Sequence, residues 1–184
     1  MPKHTSPAGR AALTGLLGAL ALALSLVENL LPPLPGMPPN ARLGLSNLAA
    51  MYTAGALGLP WALGVAGIKA GFGFLTRGVT AGLMSLSGGM VSTFLMWLLL
   101  KKTGSGLALV GVSGALGHNL AQLMVAWALT SQAVLFYVPF LGIYGVLTGI
   151  LTGTVLKITM PALERVGKYW GRGKVQEQEK TKGS

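Results

Sequence analysis

The chain contains no cysteine and no aspartate, and its only acidic residues are Glu28, Glu164, Glu177 and Glu179. Without cysteine there are no disulfides, no thiolate metal sites and no cysteine nucleophile. Without aspartate, and with a single glutamate in the apolar part of the chain, there is no carboxylate cluster to hold Mg²⁺, which takes hard oxygen ligands. No Gly-x4-Gly-Lys-Ser/Thr phosphate loop occurs either. No catalytic residue, metal site or cofactor is therefore expected, and the chain reads as a non-enzyme. Charge of both signs is scarce as well. Charged residues make up 10% of the chain, against roughly 25% in a soluble domain, too few to cover a water-facing surface.

What is abundant is apolar. Hydrophobic residues make up 52% of the chain, and the mean hydropathy is +0.63. A spanning helix needs about 20 apolar residues, and six stretches qualify: Ala11 to Leu31, Leu43 to Leu59, Trp61 to Leu75, Val79 to Leu100, Gly106 to Leu129 and Val134 to Leu156. The second and third are short and meet at Leu59-Pro60, where proline suits a turn or a first helical turn. Five prolines in "LLPPLPGMPPN", Leu30 to Asn40, cannot continue a helix and predict an ordered loop. The first stretch is longer than a signal-peptide core and five more follow it, so it reads as a span. The expected fold class is an all-α integral membrane protein with six transmembrane helices.

The basic residues orient those spans. With the N-terminus in the cytoplasm, Lys3, Arg10, Lys101, Lys102, Lys157 and the basic residues of the tail fall on the cytoplasmic side. Only Arg42 and Arg77 fall in outer loops. That bias places both termini in the cytoplasm. The net charge of +10 then reads as a topology signal and a contact for anionic membrane lipid, not nucleic acid. The expected organisation is a cytoplasmic N-terminus over residues 1–10, a six-helix membrane domain over 11–157, and a basic interfacial and disordered tail over 158–184. In the tail, Tyr169 and Trp170 favour the headgroup region. The expected location is the cell membrane.

Two stripes of small residues recur every four positions: Ala11, Gly15, Ala19 and Ala23 in the first span, and Gly145, Gly149 and Gly153 in the sixth. Such stripes let helices approach closely. Each serves either internal packing or the docking of a separate membrane subunit, and the first is the candidate for docking.

Hydrogen-bonding side chains inside the apolar runs are the functional signal. A charge at mid-span costs about 2.5–3.5 kcal/mol on insertion scales and usually faces a cavity or a partner. Lys69 is such a charge. In "GVSGALGHNLAQLMVAWAL", His118 and Gln122 lie four apart on a face otherwise made of Gly111, Gly114, Ala115 and Ala126, with Asn119 about 100° round. Together with Glu28, Asn40, Arg42, Ser46, Asn47 and Ser87, these residues gather toward the outer side, beneath the proline-rich loop. They predict an outward-facing pocket for a small anionic or electron-rich ligand. Interhelical hydrogen bonding and snorkelling of Lys69 are the competing explanations.

The strings "NARLGLSNLAAMYTAGALG", "SLSGGMVS" and "GALGHNLAQL", in that order, resemble the membrane proteins known as heptaprenyl diphosphate synthase component I, also called Gx transporters. These are in turn similar to the substrate-binding S components of energy-coupling factor (ECF) transporters. The resemblance covers about Ala11 to Leu156. It implies an S-component-like fold with a nutrient site near the outer face. It also implies a first-helix stripe (Ala11, Gly15, Ala19, Ala23) that meets a coupling module, with energy supplied by separate ECF-type transmembrane and ATPase subunits. Its other name implies a noncatalytic membrane subunit working beside a soluble prenyl synthase in prenyl diphosphate or quinone synthesis. A stand-alone carrier using Lys69 and His118 is the third reading.

Overall fold

The structure, a computed structural model, describes residues 7–30, 44–102, 105–129 and 132–159. The proline-rich loop, Asn40, Arg42 and the basic tail lie outside the described residues. Everything described is helix or short connection. The helices are α1 (Pro7–Leu30), α2 (Asn47–Ala56), α3 (Leu59–Arg77), α4 (Val79–Lys102) and α5 (Leu107–Leu129). A 3-10 turn, Gln132–Tyr137, then leads into α6, residues 138–159.

Among the described residues, five helical segments are long and apolar enough to cross a membrane: α1, α3, α4, α5 and the stretch Ala133–Thr159. Their outward faces are largely apolar, as Leu16, Leu75, Leu120, Phe136 and Ile158 illustrate, all more than half exposed. In water such a surface would be an aggregation hazard; in lipid it is the required one. This is a multi-pass membrane protein.

The second predicted span is the one that changes. α2 has ten residues, about 15 Å at 1.5 Å per residue, half the roughly 30 Å hydrocarbon core. Gly44, Leu45 and Ser46 ahead of it are not helical. The boundary with the third span falls at the expected proline: α2 ends at Ala56, Gly58 turns the chain, and Pro60 occupies the first turn of α3. The backbone of Gly58 (φ 93°, ψ 177°) and of Gly78 between α3 and α4 (φ 85°, ψ −178°) is open essentially to glycine alone. Those two residues let consecutive helices reverse within one or two residues.

Packing fixes the height of α2. Leu17 and Ala21 of α1, Ala49 of α2 and Val65 of α3 form one buried cluster, with Leu13 and Tyr52 against it. Ala50 and Met51 form another with Met96 of α4, Val110 of α5 and Leu156 of α6. Those partners come from the ends where α1, α3 and α5 begin and where α4 and α6 finish. α2 therefore starts at mid-height and runs toward that end, filling one half of the bundle. A third cluster, Met84, Leu123, Ala126, Val134 and Leu141, closes the opposite half between α4, α5 and α6.

The two small-residue stripes have opposite fates. A Cβ added at Gly149 or Gly153 would run into the backbone of Val112 or Ala108, and one at Gly145 into Leu116. The sixth-span stripe is thus the contact between α5 and α6. Ala11, Gly15, Ala19 and Ala23 are all exposed, and nothing lies within 4 Å of a Cβ at Gly15. α1 buries Thr14, Leu17, Gly18, Ala21, Ser25 and Glu28 instead.

Candidate functional site

The start of α2 sits against α3 and α5 where the polar side chains meet. The Lys69 ammonium donates to Asn47 Oδ1 at 2.9 Å, with the two residues 7% and 6% exposed. Lys69 is the eleventh residue of α3, so its Cα stands about 15 Å above the helix start, near mid-membrane. It finds its acceptor inside the bundle, where snorkelling is not needed. Just before α2, the Leu45 N–H donates to Glu28 Oε1 at 2.6 Å, so the last turn of α1 holds the segment that leads into Asn47. Gly44 lies close enough to Asn47 and His118 that a Cβ there would stand 2.8 Å from Asn47 Nδ2 and 3.6 Å from His118 Cδ2.

On α5, His118 and Gln122 are both 2% exposed, and Gln122 Nε2 lies 2.8 Å from His118 Nε2. With the amide nitrogen as donor, Nε2 accepts and the imidazole carries its proton on Nδ1. That nitrogen faces the Gly88 backbone of α4, where a Cβ would stand 2.7 Å away. Gly88 is a seat for the imidazole, and the i, i+4 pair with Gln122 holds the ring beside it. Arg77, at the end of α3, lies within electrostatic reach of Glu28 and against Gly73 and the helix carrying Ser85.

Glu28, Asn47, Lys69, His118 and Gln122 thus converge from α1, α2, α3 and α5, with the buried Ser46 at the entry to α2. The shared-face reading of His118 and Gln122 appears in the geometry. Asn47 does not mark an outer helix start; it stands at mid-depth, because α2 is half-length. Two expected site residues are directed elsewhere. Asn119 Nδ2 donates to the Leu141 carbonyl of α6 at 2.8 Å, so this side chain joins α5 to α6. Ser87 donates to Met84 O of its own helix at 3.2 Å and approaches Ala121 O at 3.5 Å, at the α4–α5 seam.

Two cavities among the described residues are outward apolar grooves. One, about 230 Å³, runs between α5 and α6 along Leu116, Leu120, Leu123 and Val138. The other, about 300 Å³, lies between α4 and α5 beside Leu83, Leu86, Met90 and Val125. Neither includes the Lys69 cluster, whose polar atoms are enclosed. Enclosure has not filled their valences. Glu28 Oε2, Asn47 Nδ2 and His118 Nδ1 are buried with no hydrogen-bond partner among the described residues. Gly44 and Gly88 are the contributors that residue type alone did not single out as site residues. The double glycine in "SLSGGMVS", opposite a lone intramembrane histidine, was the available signal for Gly88.

A bundle of long apolar helices with charged and amide side chains enclosed at mid-depth defines a polytopic membrane protein with a buried polar centre. A sequence model of the heptaprenyl diphosphate synthase component I family matches residues 17–159, from within α1 to the end of α6. The chain belongs to that family. No curated protein and no solved structure matches it.

Proposed function

We propose that the chain is the substrate-binding component of a cell-membrane transporter, crossing the membrane six times with both termini in the cytoplasm. A small, polar, electron-rich solute binds from the outer side at Glu28, Asn47, Lys69 and His118, with Ser46 and Gln122 behind them; Asn40 and Arg42, outside the described residues, are further candidate contacts. Asn119 and Ser87 hold the walls. Separate subunits of the ECF type supply the energy and dock on the exposed face of Ala11, Gly15, Ala19 and Ala23.

One observation carries this reading. Four helices place charged or amide side chains in one enclosed region of a membrane bundle and leave polar valences there unfilled. Interhelical hydrogen bonds inside membranes average only about 0.6 kcal/mol, so packing alone gives little reason to bury a lysine and a glutamate there. The test is retention of a small molecule by the purified protein. Lys69→Ala and Asn47→Ala should insert and fold but lose it. If both variants retain the compound, the site is wrongly placed.

The family's name favours a second reading, a noncatalytic membrane subunit beside a soluble prenyl synthase. It predicts that such a synthase copurifies with the chain and that Lys69→Ala leaves the association intact.

A further inference from the structure

We propose that the groove between α5 and α6 is a second binding site, distinct from the polar centre, and that it takes a lipid-soluble alcohol. Its ligand is an apolar molecule whose only polar group is one hydroxyl, entering sideways from the bilayer.

The groove exists because the two helices part. A Cβ on Gly153, Gly149 or Gly145 would collide with Ala108, Val112 or Leu116 of α5. Three residues earlier, a Cβ on Gly142 would meet nothing within 4 Å. There the helices separate and leave about 230 Å³, walled by leucine, valine and glycine apart from Asn119. Leu120 and Val138 of the wall are 60% and 47% exposed, so the opening faces lipid.

Asn119 is the one polar side chain of that wall, and it is 3% exposed. Its Nδ2 donates to the Leu141 carbonyl at 2.8 Å. A carbonyl only accepts, so the sense of the amide is fixed and Oδ1 is an acceptor. Oδ1 has no partner among the described residues. Asn119 and Leu141 both line the groove, so the amide that joins them belongs to its wall. Oδ1 is itself covered, and a hydroxyl reaches it as the leucine side chains of the wall give way. A lone water is a poor occupant, because it needs two to four polar partners and these walls are apolar. A charged ligand would find no counter-charge there. An acyl chain suits the space but brings no donor. Depth excludes the headgroup hydroxyl of a phospholipid. Asn119 is the thirteenth residue of α5, about 18 Å from its start, whereas headgroups lie about 15 Å from the midplane of a 30 Å core. Only a molecule free to carry its hydroxyl to mid-membrane satisfies Oδ1, and the same bond satisfies the hydroxyl, which hydrocarbon would leave unpaired.

The test is photolabelling of the full-length protein by a diazirine-bearing decanol in phosphatidylcholine vesicles, a lipid without hydrogen-bond donors. Mass spectrometry maps the label, and 1-decanol and decyl methyl ether compete at equal membrane concentration. Saturable labelling should fall on Leu116, Leu120 and Val138, and decanol should displace it about fivefold better than the ether, the worth of one net hydrogen bond. Asn119→Ala should erase that advantage. Gly142→Leu, which fills the groove from a position with free space, should abolish the saturable label at an unchanged melting temperature. Equal displacement by alcohol and ether would overturn the hydroxyl specificity, and unsaturable labelling spread over all lipid-facing helices would overturn the site. Should Asn119→Ala fail to fold, the alcohol–ether comparison in the wild type and the Gly142→Leu variant still decide.

Discussion

At the scale of single residues, the His118 ring is held by a glycine and a glutamine, and this makes a prediction independent of any ligand. Gly88→Val would place carbon where the imidazole lies and push the ring off α4. Overpacking of this kind costs about 1–3 kcal/mol, and because Gln122 is bonded to the ring, both side chains should move. A lowered melting temperature with weakened small-molecule retention is the expected result. A melting temperature equal to wild type would mean that the imidazole is not seated on Gly88. Lys69, His118, Gln122 and Asn47 were legible in the sequence because a hydrogen-bonding side chain inside an apolar run has few reasons to be there. Asn119 and Ser87 satisfied the same criterion, yet they bond to Leu141 and Met84. A helical wheel gives the angle of a side chain but not which neighbour waits at that angle. Glu28 was legible as polar, but its hold on Leu45 depends on a backbone N–H, which no side-chain pattern reveals.

At the scale of helices, spacing of small residues marked both stripes equally, and only packing separates them. Gly149 meets the backbone of α5, whereas Gly15 meets nothing. Gly149→Leu should therefore force α5 and α6 apart and yield protein that aggregates on extraction. Gly15→Leu should fold with an unchanged melting temperature and, if a partner subunit docks there, lose it in copurification. Loss of folding in Gly15→Leu would show that α1 packs internally through that face. Helix existence and the Leu59-Pro60 boundary were readable from apolar run length and proline chemistry. The shortness of α2 was not, because Leu43 to Leu59 is apolar enough to be a span and the break at Gly44–Ser46 is set by tertiary contacts. Glu28 binds Leu45, and Gly44 fits between Asn47 and His118.

At the scale of the whole molecule, the alternation of helix direction puts the α2–α3 and α4–α5 turns at one end and the α3–α4 turn at the other. The lack of native cysteine makes this directly measurable. In intact cells, Val79→Cys, at an exposed position of the far end, should react with a membrane-impermeant maleimide. Ser105→Cys, beside the opposite turn, should react only after permeabilisation. The reverse pattern would invert the orientation drawn from basic residues and place the polar centre toward the cytoplasm. The account as a whole requires that the centre built by Glu28, Asn47, Lys69 and His118 holds a molecule. Mass spectrometry of small molecules released from gently purified wild-type protein, compared with Lys69→Ala and Asn47→Ala, measures that most directly. The expected result is a compound released from the wild type in near-stoichiometric amount and missing from both variants. No bound compound, or the same compound released equally from all three, would contradict the account.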